Sequence, residues 1–179
     1  MPDVVFKDAW RRDDPQLEAD AKAFWETFKL PPAEQDRRAK ELIALAYIDG
    51  QLAGVSSAHL MVMPLLHARV AYYRCAIVPE FRRKDLSYRL SGHARGLLEA
   101  WSKEHPEEKL AGLAAVIQAA EYHGKQLEPT WPEHGLHLNL ACYLPSGEQL
   151  RVAWFDHAHV EEKAPAAPRP LASGPVTGA

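Results

Sequence analysis

Apolar and polar positions near the N-terminus predict a short strand followed by a helix. The apolar run Val4–Phe6 is typical of a strand of a few residues. In Asp14-Pro15, the aspartate has the side chain of an N-cap and the proline suits the first helical position. Apolar side chains then recur at helical spacing, at Leu17, Ala21, Phe24, Trp25 and Phe28. Pro31-Pro32 ends the predicted helix.

The next segments combine a polar helix with a β-hairpin. Residues Ala33–Lys40 are rich in charge and have little apolar face, so we expect a helix on the surface. Two β-prone runs follow, Leu42–Ile48 and Leu52–Val62. Asp49-Gly50 joins them, and this dipeptide between apolar runs is the strongest short hairpin signal in a sequence.

The second half of the chain alternates strand and helix and then forms another hairpin. Val70–Val78 is a predicted strand that ends before a proline. An apolar stripe marks a long helix, with members at Leu86, Leu90, Ala94, Leu97, Leu98 and Trp101. Leu110–Ala119 is a predicted buried strand. Residues 125–135 have the pattern of an inserted loop. The last two runs, Leu136–Leu144 and Gln149–Phe155, predict a hairpin. This order predicts an α/β fold (α+β, with one mixed sheet).

Composition fits one soluble globular domain with a tail. The 179 residues are 47% hydrophobic and 25% charged, with a formal net charge of −3, and these values exclude a disordered chain. Residues 164–179 hold five Ala, four Pro and no aromatic residue, so we expect a single domain over residues 1–163 and a disordered tail. No apolar run reaches the length of a membrane helix, and the start lacks a secretory signal. With only two cysteines, Cys75 and Cys142, the expected location is cytoplasmic.

Positive charge is concentrated in one short segment. Residues 74–95 hold six basic and two acidic side chains, an excess of +4 in an otherwise acidic chain. Here the predicted strand passes through a turn into the long helix, and a helix N-terminus with unpaired N–H groups suits an anion. Arg82, Arg83 and Lys84 add full charges where a phosphate or pyrophosphate would bind. A solvated surface turn is the alternative explanation, and charge and spacing do not separate the two.

The same segment resembles the GNAT superfamily of acyl-CoA-dependent N-acyltransferases. Members typically show Val-Pro, an aromatic residue two positions later, and Arg-x-x-Gly-x-Gly/Ala at the start of a long helix. Val78-Pro79-Glu80-Phe81-Arg82 matches this motif. Asp85 and Ser87 stand where the family has its two small residues. The Asp85 carboxylate would face the cofactor's pyrophosphate unless it caps the helix or pairs with Arg82 or Lys84. The resemblance implies a GNAT-like fold, with a mostly antiparallel sheet, flanking helices and a terminal β-hairpin.

The resemblance also implies acyl-CoA as co-substrate, acetyl-CoA above all, and direct attack by an amine of a small molecule or protein in a ternary complex. The residues that it implies for cofactor binding are Ala76, Ile77, Val78, Arg82, Arg83, Lys84, Asp85, Leu86, Ser87 and Gln118. The departing thiolate needs a proton donor, and the amine must lose a proton before it attacks. Tyr122 lies near the position of the family's acid, and Glu121 and His123 are candidate bases. A structural Tyr122 and proton removal through water are the alternatives.

Other function classes compete with the N-acetyltransferase. One is a non-catalytic binding module that keeps the fold, because Asp85 and Ser87 depart from the motif; another is an unrelated domain that binds a phosphate ligand.

The close histidine pairs are His134 with His137 and His157 with His159. Neither pair has the spacing of a zinc signature, so we expect no metal. The acidic second half favours a cationic acceptor, and we expect neither nucleic acid nor a membrane as partner. A homodimer is compatible with the sequence.

Overall fold

A mixed sheet of eight strands organises the residues that the computed structural model describes, which are 4–82, 85–118 and 127–160. The strands are β1 Val4–Asp8, β2 Leu42–Ile48, β3 Gln51–Met63, β4 Ala68–Ile77, β5 Leu110–Ile117, β6 Thr130–Trp131, β7 Leu138–Tyr143 and β8 Gln149–Trp154. They lie in the order β1-β2-β3-β4-β5-β8-β7-β6. Every neighbouring pair is antiparallel except β4 and β5, which run parallel. The predicted mixed, mostly antiparallel sheet is confirmed.

Helices form where the sequence predicts them. In the described part of the chain they are α1 Pro15–Thr27, α2 Pro32–Ala39 and α3 Leu86–Glu104. Asp14 caps α1, since its Oδ1 accepts hydrogen bonds from the N–H groups of Gln16 at 2.9 Å and Leu17 at 3.2 Å. The polar α2 buries only Ala39, which agrees with the surface position expected for it.

Both predicted hairpins are present. Asp49 and Gly50 connect β2 to β3 with φ of 49° and 81°, and positive φ at both central residues is what a type I′ turn requires. Strands β7 and β8 pair antiparallel as the second hairpin. The prediction of an inserted loop is wrong at Thr130–Trp131, which forms β6 beside β7. Two residues are too few to show the alternation by which a strand is recognised.

The helices pack on opposite faces of the sheet. Helix α3 buries Leu90 and Leu98 in one core cluster, together with Tyr73 and Ile77 of β4. Helix α1 buries Phe24 and other apolar residues in a second cluster with β2 and β3. Each large apolar side chain that leaves water in this way stabilises the fold by about 1.5–3 kcal/mol. The sheet is therefore fixed from both sides around β4.

No helix within the described ranges combines the length and apolar composition needed to cross a membrane. The predicted tail, with the proposed domain end at residue 163, lies outside the described residues. That boundary stays a prediction.

Candidate functional site

Strands β4 and β5 pair over only part of their length. The parallel ladder ends at Tyr72 with Ala114. Beyond that pair β4 runs on to Ile77 and β5 to Ile117, with no further pairing between them in the described residues. The two strands therefore diverge, and backbone N–H and C=O groups on the edge of β4 that faces β5 become available to another molecule.

A cleft with a volume of about 780 Å³ occupies this divergence. Its walls come from both faces of the sheet, because successive side chains of a strand point to opposite faces. Tyr73 and Ile77 of β4 belong to the core cluster of α3, whereas Ala76 packs against that of α1. Further lining residues are Phe28 at the end of α1, Arg38 of α2, Gln118 after β5, Trp131 of β6 and Leu136. The cleft thus connects the two faces of the sheet.

The N-terminus of α3 forms one end of the cleft. Arg82 and Ser87 line it. The Nε of Arg82 donates a hydrogen bond to the carbonyl oxygen of Ile77 at 3.1 Å, which fixes the guanidinium at the end of β4. The aligned peptide dipoles of α3 add partial positive charge at the same place. Arg82 and the N-terminus of α3 therefore make this end of the cleft electropositive.

Asp85 immediately precedes α3, and its backbone has φ 62° and ψ 7° in the left-handed region. This is the conformation that glycine adopts most readily. The Asp85 carboxylate forms no cap on α3. It contacts the Nε2 of His134 instead, and Asp85 is not among the residues that line the cleft. The described contacts thus contradict both a helix-capping role and an ion pair with Arg82, because Asp85 turns toward the segment that precedes β7.

The other residues predicted for binding or catalysis divide into three groups. Those that line the cleft are Ala76, Ile77, Arg82, Ser87 and Gln118. Val78 and Leu86 do not line it: the Val78 N–H donates to the Ala53 carbonyl at 2.9 Å, and Leu86 is buried in the core. Those that fall outside the described residues are Arg83, Lys84, Glu121, Tyr122 and His123. The predicted roles of this last group stay predictions.

Tyr73, which the sequence analysis did not single out, lies on the wall of the cleft. Its hydroxyl accepts a hydrogen bond from the Oγ of Ser91 at 3.1 Å. Burial, with a smaller contribution from Cys75, raises the pKa of Tyr73 well above its usual value. The phenol therefore stays neutral. A tyrosine within an apolar strand gives no sequence signal for such a position.

Cys75 also lines the cleft, and its side chain is exposed there. The enclosing walls limit the hydration of a thiolate and raise the pKa of Cys75 to about 12, an effect that a hydrogen bond from Tyr73 partly offsets. Arg74 cannot lower it because successive strand residues point to opposite faces.

A buried arginine fixes the wall that includes Trp131. The guanidinium of Arg151 lies 4.1 Å from the centroid of the Trp131 ring. Its Nη2 donates to the carbonyl oxygen of Glu128 at 2.7 Å, and its Nη1 donates to that of Leu138 at 3.3 Å. Burial lowers the pKa of Arg151, yet an arginine remains charged. The segment around β6 is thereby tied to β8 at the edge of the cleft.

The opposite end of the cleft, on the face of α1 and α2, is basic. Arg38 of α2 and Arg74 of β4 line it beside Phe28. The Nη1 of Arg74 donates to the carboxylate of Glu41 at 3.0 Å. Arg38 and Arg74 are distant in the sequence and belong to different elements, so local patterns cannot predict that they line the same end of the cleft.

Comparison with known proteins gives similarities of fold only. No protein-family model matches the sequence, and neither does any curated protein. A crystal structure of a bacterial toxin matches with 9% identity and a TM-score of 0.53, over 88% of this chain and 93% of the toxin. An acetyltransferase of the GNAT family from Streptococcus pneumoniae matches with 14% identity and a TM-score of 0.48, over 86% of this chain and 99% of that one.

A third match is an aminoglycoside 6′-N-acetyltransferase complexed with coenzyme A, with 12% identity and a TM-score of 0.47, over 84% of this chain and 96% of the enzyme. The described sheet is mostly antiparallel, with the single parallel pair β4 and β5, which agrees with the fold class that the sequence predicts. At these identities the matches concern fold and leave activity open.

Proposed function

We propose that the chain is an acyl-CoA-dependent N-acyltransferase that transfers an acyl group, acetyl in the first instance, to an amine by direct attack in a ternary complex. The observation that carries this proposal is the divergence of β4 from β5 beside the N-terminus of α3. It combines an open strand edge, a positive helix end and a cleft that is accessible from both faces of the sheet. Donor and acceptor can then approach from opposite sides.

The residues of the cleft fit an acyl-CoA. The edge of β4 at Ala76 and Ile77 offers backbone groups to an amide-bearing arm, and Arg82 with Ser87 suits a pyrophosphate. No carboxylate lines the cleft among the described residues, and the carboxylate of Asp85 is turned to His134. When bound, acyl-CoA supplies a thioester carbonyl that an amine can attack.

Proton transfer is the second requirement. Among the described residues that line the cleft there is no Asp, Glu or His, so the proton of the attacking amine leaves through water or through Glu121 or His123. Tyr122 is the proposed proton donor to the departing thiolate. Tyr73 is held neutral by burial and is not assigned a proton-transfer role.

Binding of the donor is tested first, by thermal shift. Acetyl-CoA, CoA and adenosine 3′,5′-bisphosphate should each raise the melting temperature, since a ligand that binds only the folded state stabilises it by mass action. Arg82→Gln should weaken binding of all three by about tenfold, because a charge-assisted hydrogen bond to phosphate is lost. Arg89→Gln is the matched control, since Arg89 lies on α3 a few residues after Arg82 and does not line the cleft. Absence of a shift with every ligand at millimolar concentration contradicts the proposal.

Turnover is tested next, by release of free thiol from acetyl-CoA with a panel of amines. Tyr122→Phe should lower kcat by about 100-fold or more, the usual range for loss of a general acid, and leave CoA affinity unchanged. Tyr73→Phe is the matched control and should lower kcat only a few-fold. Full activity of Tyr122→Phe removes Tyr122 from the mechanism. CoA binding without turnover of any amine favours the non-catalytic binding module.

A further inference from the structure

The basic end of the cleft distinguishes one class of acceptor from others. We propose that the acceptor amine carries an anionic oxygen group, a carboxylate or a phosphate, which Arg38 and Arg74 bind. This inference rests on the proposed N-acyltransferase function and concerns the face of the sheet opposite Arg82.

Both arginines are placed to contact a ligand. Their side chains are 24% and 23% exposed, and both line the cleft where Phe28 forms its apolar wall. The guanidinium of Arg74 also lies 5.4 Å from the centroid of the Tyr72 ring. Packing on an aromatic ring restricts the planar guanidinium, so that less conformational entropy is lost when it binds a carboxylate or phosphate.

Each guanidinium is only partly used by the protein. The Nε of Arg38 donates to Glu34 at 2.7 Å, and the Nη1 of Arg74 donates to Glu41 at 3.0 Å. Among the described residues these are the hydrogen bonds of the two side chains, which leaves both terminal nitrogens of Arg38 and the Nη2 of Arg74 to donate to a ligand. Two parallel N–H donors are the arrangement that binds a carboxylate or phosphate in bidentate fashion.

The carboxylates at this end are already engaged. Glu41 accepts from Arg37 at 2.8 Å and from Arg74 at 3.0 Å, and the Nδ1 of His59 lies 3.2 Å from it. Glu34 lies between Arg37 and Arg38. Three arginines therefore surround two carboxylates, and the excess of positive charge faces the cleft through Arg38 and Arg74. A purely cationic acceptor, which the acidic second half of the sequence favours, meets repulsion here.

The test compares matched acceptors that differ only in the anionic group. L-Phenylalanine is compared with L-phenylalaninamide, and O-phosphoethanolamine with ethanolamine, alongside spermidine and an aminoglycoside. Thiol release from acetyl-CoA gives kcat/KM, and thermal shift in the presence of CoA gives acceptor binding without turnover. We expect the anionic member of at least one pair to exceed its neutral partner by about tenfold or more in both measurements.

Arginine variants assign the effect to this end of the cleft. Arg38→Gln and Arg74→Gln should each lower kcat/KM for the anionic acceptor by about tenfold or more and leave CoA affinity unchanged. Arg37→Gln is the matched control, because Arg37 bonds to the same Glu34 and Glu41 but does not line the cleft. Arg74→Lys keeps the positive charge but lacks the two parallel N–H donors of the guanidinium, and it should retain part of the activity.

The outcomes separate the inference from the function beneath it. If acetyl-CoA gives no thermal shift, the proposed function fails. If acetyl-CoA binds and the neutral or cationic amines are equal to or better than the anionic ones, the inference is overturned while the function stands. An enzyme that binds acetyl-CoA and uses no anionic amine above the rate of hydrolysis overturns the inference as well. An equal loss in Arg37→Gln and Arg38→Gln contradicts direct binding and assigns Arg38 a structural role.

Discussion

The two halves of the β4 and β5 pair differ in what their backbones contact. From Arg69 to Tyr72, β4 is closed by its parallel ladder with β5. From Tyr73 to Ile77 the same strand continues along β3 without that ladder in the described sheet. One strand is thus part of a closed sheet at its beginning and a wall of a cleft at its end.

Side chains change at the same point. In the closed half Val70 and Ala71 are fully buried, as is Ala114 across the ladder. In the open half Arg74 is partly exposed and Cys75 and Gln118 are exposed. The difference teaches that the cleft forms where pairing stops, because the open edge of β4 leaves backbone groups available to water or to another molecule.

The largest expected effect concerns the closed half. Gly112 pairs with Val70 of β4 and with Trp154 of β8, and a Cβ at this position would lie 2.7 Å from the backbone oxygen of Ala153. Gly112→Ala should therefore lower the free energy of unfolding by about 2–3 kcal/mol, the range for overpacking against an immobile group. Urea denaturation followed by circular dichroism measures it.

Gly96→Ala is the control for that substitution. Gly96 is an exposed residue of α3, and no atom lies within 4 Å of the position that an added methyl group would take. The same change there should raise the free energy of unfolding by about 0.5–1 kcal/mol through helix propensity. If Gly112→Ala leaves the free energy of unfolding unchanged, β5 and β8 can separate to admit the methyl group. The closed half would then be no more rigid than the open one.

A smaller effect is expected where the open half meets α3. Asp85→Gly removes a non-glycine residue from the left-handed region and should raise the free energy of unfolding by about 0.5–1 kcal/mol. The lost contact with His134 is between partly exposed side chains and is worth less than about 1 kcal/mol. Because the carboxylate does not line the cleft, CoA affinity measured by calorimetry should change less than about twofold.

Asp85→Asn separates charge from conformation. Asparagine tolerates the left-handed region and carries no charge, so its stability should stay near that of the unchanged protein. If both Asp85 variants bind CoA about tenfold more tightly, the carboxylate faces the phosphates after all, and the open half would be less suited to an anion than its contacts indicate.

Local signals predicted most of the fold. Asp14-Pro15 and Asp49-Gly50 each determine a cap or a turn through the residues themselves, and the structure contains both. The motif from Val78 to Arg82 indicated the fold class, and its Arg82 lies at one end of the cleft. These features depend on neighbours in the chain, which a sequence displays directly.

The basic end of the cleft was not predictable in the same way. Arg38 and Arg74 line the same end of the cleft because α2 packs on the face of the sheet to which Arg74 points. The polar character of α2 was consistent with a solvated surface helix. The end of the β4 and β5 ladder also has no local signal, since both strands keep the composition of a strand beyond it. The contact of Asp85 with His134 joins two distant segments and replaced the cap that the sequence allowed.

The smallest expected effect is a pH dependence at the basic end of the open half. Hydrogen bonds from Arg37 and then Arg38 lower the pKa of Glu34 to about 2. Because the folded-state pKa lies below the usual value near 4.5, the ionised form stabilises the fold. This contribution is complete above about pH 4.5 and is lost as the pH falls toward 2.

Glu34→Gln isolates this contribution. Glu34 is partly exposed, so the substitution should lower the free energy of unfolding at pH 6 by no more than about 1 kcal/mol, and by less at pH 3.5. Gly112→Ala serves as the comparison, because its penalty is steric and should be the same at both pH values. Urea denaturation of both variants and the unchanged protein measures the difference. A Glu34→Gln penalty that is equally large at both pH values would contradict the ion pair as its cause, since only a titrating group loses its effect when it is protonated.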